Sequence, residues 1–155
     1  KLGKSWRSNI RYAKHLSEAE GWDAWTSYNN KSYEKFLDYT DQDYIDAGVK
    51  PDYLDYINSQ FNDEFTLNEI TLDGQRINIG DKEKFTSSFL SEQIESMEKG
   101  KSTLSGASAV YFDTIISKFQ NELDMRLEKD NNTKIAKAIM MAESGGVSDS
   151  LNYNK

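Results

Sequence analysis

The sequence predicts an α+β fold, mainly α-helical with one small β-hairpin at about 65–79. Three observations carry this. Apolar residues recur at spacings of three and four over several separate stretches. The period shortens toward two across 65–79. An Asp-Gly pair stands inside that stretch, where a two-residue hairpin turn would need it.

Trp6, Ile10, Ala13 and Leu16 place one apolar face on a helix over 6–19, and Gly21 stops it, since glycine takes the left-handed conformation that ends helices at little steric cost. A shorter helical piece is expected near 41–47. Pro51, the only proline, opens a helix over 51–62 with Leu54, Ile57 and Phe61 on one side; its missing N–H would have no helical partner in a first turn. In FTLNEITLDGQRINI, Phe65, Leu67, Ile70 and Leu72 alternate imperfectly, and Ile77 and Ile79 continue after Asp73-Gly74. A lone hairpin is marginal in water, so it should pack on a helix or a partner.

Asp81 can cap a helix through about Lys99 that carries Phe85, Phe89, Leu90, Ile94 and Met97, and a Ser- and Gly-rich loop follows from Gly100 to Gly106. Phe112, Ile116, Phe119, Leu123 and Leu127 then form a stripe on a helix over 107–129, roughly 35 Å long at 1.5 Å per residue. That length suggests a helical hairpin or a seam with a second copy of the chain. Asp130-Asn131-Asn132-Thr133 reads as a break with a fresh N-cap. A last helix, 134–143, presents Ile135, Ile139 and Ala142 and ends before Gly145-Gly146.

Composition narrows the function classes. Nineteen Lys and Arg against 26 Asp and Glu give a net charge of -7, which argues against nucleic acid as a partner, since such a surface must be cationic to displace counterions from phosphates. Charge is unevenly spread: residues 1–14 are basic, whereas Glu34 to Glu64 holds nine acids against Lys35 and Lys50. Cysteine is absent and His15 is the single histidine, so disulfide scaffolds, thiolate zinc sites and multi-histidine metal sites are excluded. With no glycine-rich phosphate loop either, no cofactor or metal is expected. No apolar run approaches the roughly 18 residues of a membrane span. Asp38, Asp41, Asp43 and Asp46 lack the glycine and terminal glutamate of an EF-hand loop and read as a solvated face. His15 reads as a surface or boundary group. The tyrosines at 28, 33, 39, 44, 53 and 56 could stack on sugar rings, but half-buried packing with a wet hydroxyl is the simpler reading.

The most informative stretch is KIAKAIMMAESGGVSDSLNYNK, residues 134–155. It places the Glu143 carboxylate on a final helical turn, followed at once by Ser144, Gly145 and Gly146. Burial there would keep it protonated, as a general acid requires near neutral pH. A solvent-exposed glutamate before a glycine stop is the plainer alternative. The stretch resembles the opening of the catalytic core in the lysozyme-like lytic transglycosylases, where a helix ends in Glu-Ser-Gly and an Asn-rich loop follows. That resemblance implies that Glu143 is the acid that protonates the glycosidic oxygen of peptidoglycan and the base that closes a 1,6-anhydro ring. No second catalytic carboxylate is then needed. Ser144 is its neighbour in the motif.

Residues 9–33, NIRYAKHLSEAEGWDAWTSYNNKSY, resemble the close of the same core, through the Ile10 and Ala13 helix, Gly21-Trp22, Trp25, and Tyr28-Asn29 before Tyr33. In that family a Tyr-Asn pair lines the cleft opposite the glutamate, which implies a substrate-binding role for Tyr28 and Asn29. Trp22 and Trp25 read as packing. Lys31 stands where relatives often have glycine.

The family's closing segment thus precedes its opening segment, and nothing here matches the Gly-Leu-Phe-Gln-Ile-like segment that forms the cleft floor. A piece of a longer protein, a permuted domain with its ends packed together, or coincidence of helical composition would each explain the order. The first is the preferred expectation, and a start at Lys1 rather than at a methionine agrees with it. The expected organisation is 1–40 as a closing segment, 41–130 as a helical structural region with the hairpin, and 131–155 as an opening segment. Lysozyme-like segments among long helices resemble bacteriophage tape-measure and ejected virion proteins. The expected function is therefore virion-associated cleavage of peptidoglycan at the bacterial cell wall, with little activity from this chain alone. Its partners would be glycan strands, other virion or tail proteins, and a second copy along 107–129. The alternative is a non-catalytic helical structural or interaction module of a virion or a secreted assembly.

Overall fold

The computed structural model of the chain describes residues 6–62 and 66–143. Helices α1 (Trp6–Glu20), α2 (Thr26–Asn29), α3 (Asp41–Asp46) and α4 (Pro51–Phe61) come first, with 3-10 turns at Trp22–Ala24 and Ser32–Phe36. Strands β1 (Glu69–Leu72) and β2 (Gln75–Asn78) follow, then α5 (Ser87–Lys101) and α6 (Ala107–Glu143). The fold is mainly helical with one two-stranded antiparallel hairpin. None of the described helices is long and apolar enough to cross a membrane.

Two compact units divide the chain, one formed by 1–63 with 129–155 and the other by 64–128. Residues 41–62 therefore group with the two ends, a division that differs from sequence boundaries at 40 and 131. The cause lies in the core of the first unit. Ile10 and Ala13 of α1, Tyr44 of α3, Leu54 and Ile57 of α4, and Ala136, Ile139 and Met140 of α6 are all at most 4% exposed and share one cluster. None of these elements alone could bury its apolar face.

Local chemistry sets the boundaries in this unit. Gly21 takes φ +74 and its N–H donates to Ser17 O, ending α1 as the sequence predicts. Thr40 and Asp43 form a reciprocal capping box on α3: Asp43 N–H donates to Thr40 Oγ1, and Thr40 N–H donates to Asp43 Oδ2. Pro51 sits in the first turn of α4.

In the second unit the hairpin pairs Ile70 with Ile77 and Leu72 with Gln75. Asp73 and Gly74 both adopt positive φ, +51 and +80, as a type I′ turn demands. Ile70, Ile79, Leu90, Ile115 and Phe119 form the core, so the hairpin does pack on helices, here α5 and the first part of α6. The strands are shorter than the 65–79 expectation. Leu67 is 77% exposed, and Phe65 lies outside the described residues.

Three local expectations are corrected. Helix α5 starts at Ser87 with Thr86 as its cap, whereas Asp81 closes a separate turn by accepting from the N–H groups of Glu83 and Lys84. No break occurs at 130–133, where α6 is continuous. Asn and Asp cost only a few tenths of a kcal/mol in a helix when neither Gly nor Pro accompanies them, and the side chains here find other partners. Thr133 Oγ1 donates to Lys129 O at 2.7 Å instead of capping a new helix, and Asp130 Oδ1 accepts from Asn62 Nδ2. The inward stripe of α6 is also rotated. It runs Ile115, Phe119, Glu122 and Arg126, while Leu127 is 61% exposed.

That rotation brings a charged pair inside. Arg126 Nε donates to Glu122 Oε2 at 2.6 Å, Nη2 to Ile79 O at 2.9 Å and Nη1 to Ser87 Oγ at 3.1 Å. Asn68 Nδ2 donates to Glu122 Oε1 at 2.8 Å. Guanidinium and carboxylate are thus both bonded, which offsets the cost of taking them out of water.

Candidate functional site

Helix α6 carries Glu143 as its last described residue. Ala136, Ala138, Ile139, Met140 and Met141 are buried in the core of the first unit, and Glu143 stands half-buried one turn beyond them. Its carboxylate accepts a hydrogen bond from a distant part of the same unit. The donor is the backbone N–H of Ser27, 2.7 Å from Glu143 Oε2 and 116 residues away in sequence.

The reason lies in α2. Its N-cap residue is Trp25, which has no side-chain oxygen and makes no side-chain cap. The early N–H groups of a helix need acceptors from outside it, and Glu143 serves the second helical position as a long-range cap. The bond holds Oε2 of the Glu143 side chain in place.

Tyr28 and Asn29 directly follow the residue that Glu143 contacts. The structure therefore brings both segments singled out in the sequence to one place. Tyr28 is half-buried and stacks on Tyr33, with ring centroids 5.0 Å apart at 24°. Partial burial, with Tyr28 and Glu34 nearby, holds the Tyr33 phenol above its ordinary pKa. Asn29 is exposed and donates through Nδ2 to Asp23 O at 2.6 Å, closing the preceding turn. Ser144 lies outside the described residues. Trp25 is 9% exposed and in the core, while Trp22 stacks on Phe61 at 5.8 Å.

Lys31 takes φ +66, the left-handed region, which is the physical reason a glycine suits this position. Sequence reasoning missed Ser27 altogether. Its contribution to Glu143 is a backbone N–H, which any residue but proline would supply, so no pattern signals it. Ser27 Oγ and Trp25 Nε1 are both buried and have no hydrogen-bond partner among the described residues.

His15 is exposed. The acidic cluster has structural work that the solvated-face reading did not foresee. Asp43 caps α3, Asp46 accepts from Gln42, and Asp41 accepts from Lys137 Nζ at 2.6 Å and from Asn58. Among the described residues, no group of three His, Cys, Asp or Glu side chains could hold a metal ion. Compared with known protein families, curated proteins and solved structures, the chain matches none.

Proposed function

We propose that this chain is a lysozyme-like, glycan-cleaving module of a bacteriophage virion protein, acting on peptidoglycan at the bacterial cell wall. One observation carries the reading: the Glu143 carboxylate meets the Ser27 amide beside Tyr28 and Asn29, so the two segments resembling parts of one catalytic core lie in one compact unit. This favours the permuted arrangement of those segments over separate halves of two domains.

In the proposed chemistry Glu143 donates a proton to the glycosidic oxygen and the anomeric C–O bond breaks. The same carboxylate then takes the proton of the sugar's C6 hydroxyl as that oxygen closes onto the anomeric carbon. Protons balance, and the product is a 1,6-anhydro sugar. The Ser27 N–H fixes one carboxylate oxygen through both steps, a positioning contribution of the kind that matters for general acid–base catalysis. Tyr28 offers a ring face to a sugar, and Asn29 and Ser144 offer amide and hydroxyl groups. Other virion proteins, and a second copy along 107–129 where Val110 and Tyr111 are exposed, are the proposed protein partners.

The test is release of anhydro-muropeptides from purified cell wall, by the chain alone and within any longer polypeptide that carries it. Release that Glu143→Gln abolishes supports the reading, and no release from either form defeats it.

A second reading is a non-catalytic helical structural module, favoured by the fact that Asn29 and Tyr28 are already engaged by Asp23 and Tyr33. Under it Glu143 is a cap and nothing more. Glu143→Ala would then lower stability by about 1 kcal/mol, typical of a lost cap, with no cleavage to lose.

A further inference from the structure

We infer that a second site in the first unit, a cavity of about 340 Å³ between the 37–44 segment and α6, binds a short zwitterionic peptide. Its polar side chains are tied to neighbours in the same unit. Lys137 Nζ, on a side chain only 11% exposed, donates to Asp41 Oδ1 at 2.6 Å. Asp41 Oδ2 accepts from Asn58. Tyr44 Oη donates to Phe36 O. These bonds hold the polar groups that shape the cavity.

The wall is aromatic and held in place. Tyr39 packs at 5.1 Å from both Phe36 and Tyr44, edge-on to the first and tilted to the second, and remains 37% exposed. A ring so fixed offers an apolar face to a ligand at little entropic cost.

The rim carries the selectivity. Lys134 and Asp38 line the cavity, both are exposed, and neither has an ion-pair partner within 4.0 Å among the described residues. One free ammonium and one free carboxylate around an aromatic wall fit a ligand with its own carboxylate, amine and apolar body. A purely anionic or cationic ligand would satisfy one rim group and face the other with like charge.

The source of the peptide rests on the function proposed above. Peptidoglycan stems are short peptides with free amines and carboxylates attached to the glycan. Six residues, or about 9 Å of helical rise, separate Lys137 from Glu143, a span one muropeptide can cover.

An NMR titration of the full chain with the stem peptide L-Ala–γ-D-Glu–L-Lys–D-Ala tests the inference. Saturable shifts at residues 37–44 and 134–137 are expected. Lys134→Gln and Asp38→Asn, both on the surface and checked for intact fold by circular dichroism, should each weaken binding about fivefold, the scale of one rim charge contact. The same peptide with amines acetylated and carboxyls amidated should not bind. Glu143→Gln should leave the affinity unchanged, so binding is read independently of cleavage. Absence of saturable shifts, equal binding of the capped peptide, or unaltered affinity in both variants overturns the site. Equal binding of the all-L peptide L-Ala–L-Glu–L-Lys–L-Ala overturns the peptidoglycan source.

Discussion

Replacing Arg126 with methionine tests the packing of the second unit most directly. The side chain is 6% exposed and its guanidinium bonds Glu122, Ile79 O and Ser87 Oγ. Methionine fills most of the volume but strands the Glu122 carboxylate, on a side chain only 3% exposed, with Asn68 as its remaining bonded partner. Breaking a buried pair from one side costs about 3–5 kcal/mol. An orphaned carbonyl on Ile79, itself 0% exposed, belongs to the same loss. A total near 4 kcal/mol would consume much of the roughly 5–15 kcal/mol that holds a typical domain folded. Urea unfolding followed by far-ultraviolet circular dichroism reads this loss. The three tryptophans, at 6, 22 and 25, all lie in the other unit, so their fluorescence reports that unit alone. Adding Glu122→Leu removes the stranded charge and should restore about 2 kcal/mol, a coupling of ordinary size for contacting residues. A loss below about 1 kcal/mol for Arg126→Met, or a double variant no more stable than the single one, would refute the argument.

Other outcomes follow from single contacts. A Cβ at Gly80 would lie 2.0 Å from the carbonyl oxygen of Thr66, so Gly80→Ala should cost about 2–3 kcal/mol; an unchanged urea midpoint would count against the close approach. Lys31→Gly relieves a left-handed backbone at φ +66 and should stabilise by about 0.5 kcal/mol after the unfolded-state entropy of glycine is subtracted. A lower melting temperature would contradict it. Burial, with Asp41 and Tyr39 nearby, pushes the Tyr44 phenol well above its ordinary value. Its stabilising contribution is complete below the unfolded phenol pKa of about 10 and is lost as pH rises above that toward the folded value. Tyr44→Phe should flatten the alkaline loss of stability while costing about 1 kcal/mol at neutral pH through the bond to Phe36 O. Parallel alkaline unfolding curves for the two proteins would disprove it.

Local pattern was enough to read much of this chain. The α1 face of Ile10 and Ala13, the Gly21 stop, the Pro51 start and the Asp73-Gly74 turn are each decided within a few residues. There, backbone sterics and apolar spacing dominate the free energy. Glu143 on a helix and the Tyr28-Asn29 pair were likewise visible as separate features. Their meeting was not, because it runs through the Ser27 amide across 116 residues of chain. Side-chain identity carries no trace of such a bond.

Packing settled the remainder. The low helix propensity of 130–133 is a penalty of tenths of a kcal/mol per residue, too small to interrupt a helix whose later turns bury Ala136, Ile139 and Met140. Glu122 and Arg126 read as surface residues by type, yet they point inward because Asn68, Ile79 and Ser87 are there to receive them. Short-range sterics are written in the order of residues. The burial of a charge depends on partners that the chain brings together only as it closes on itself.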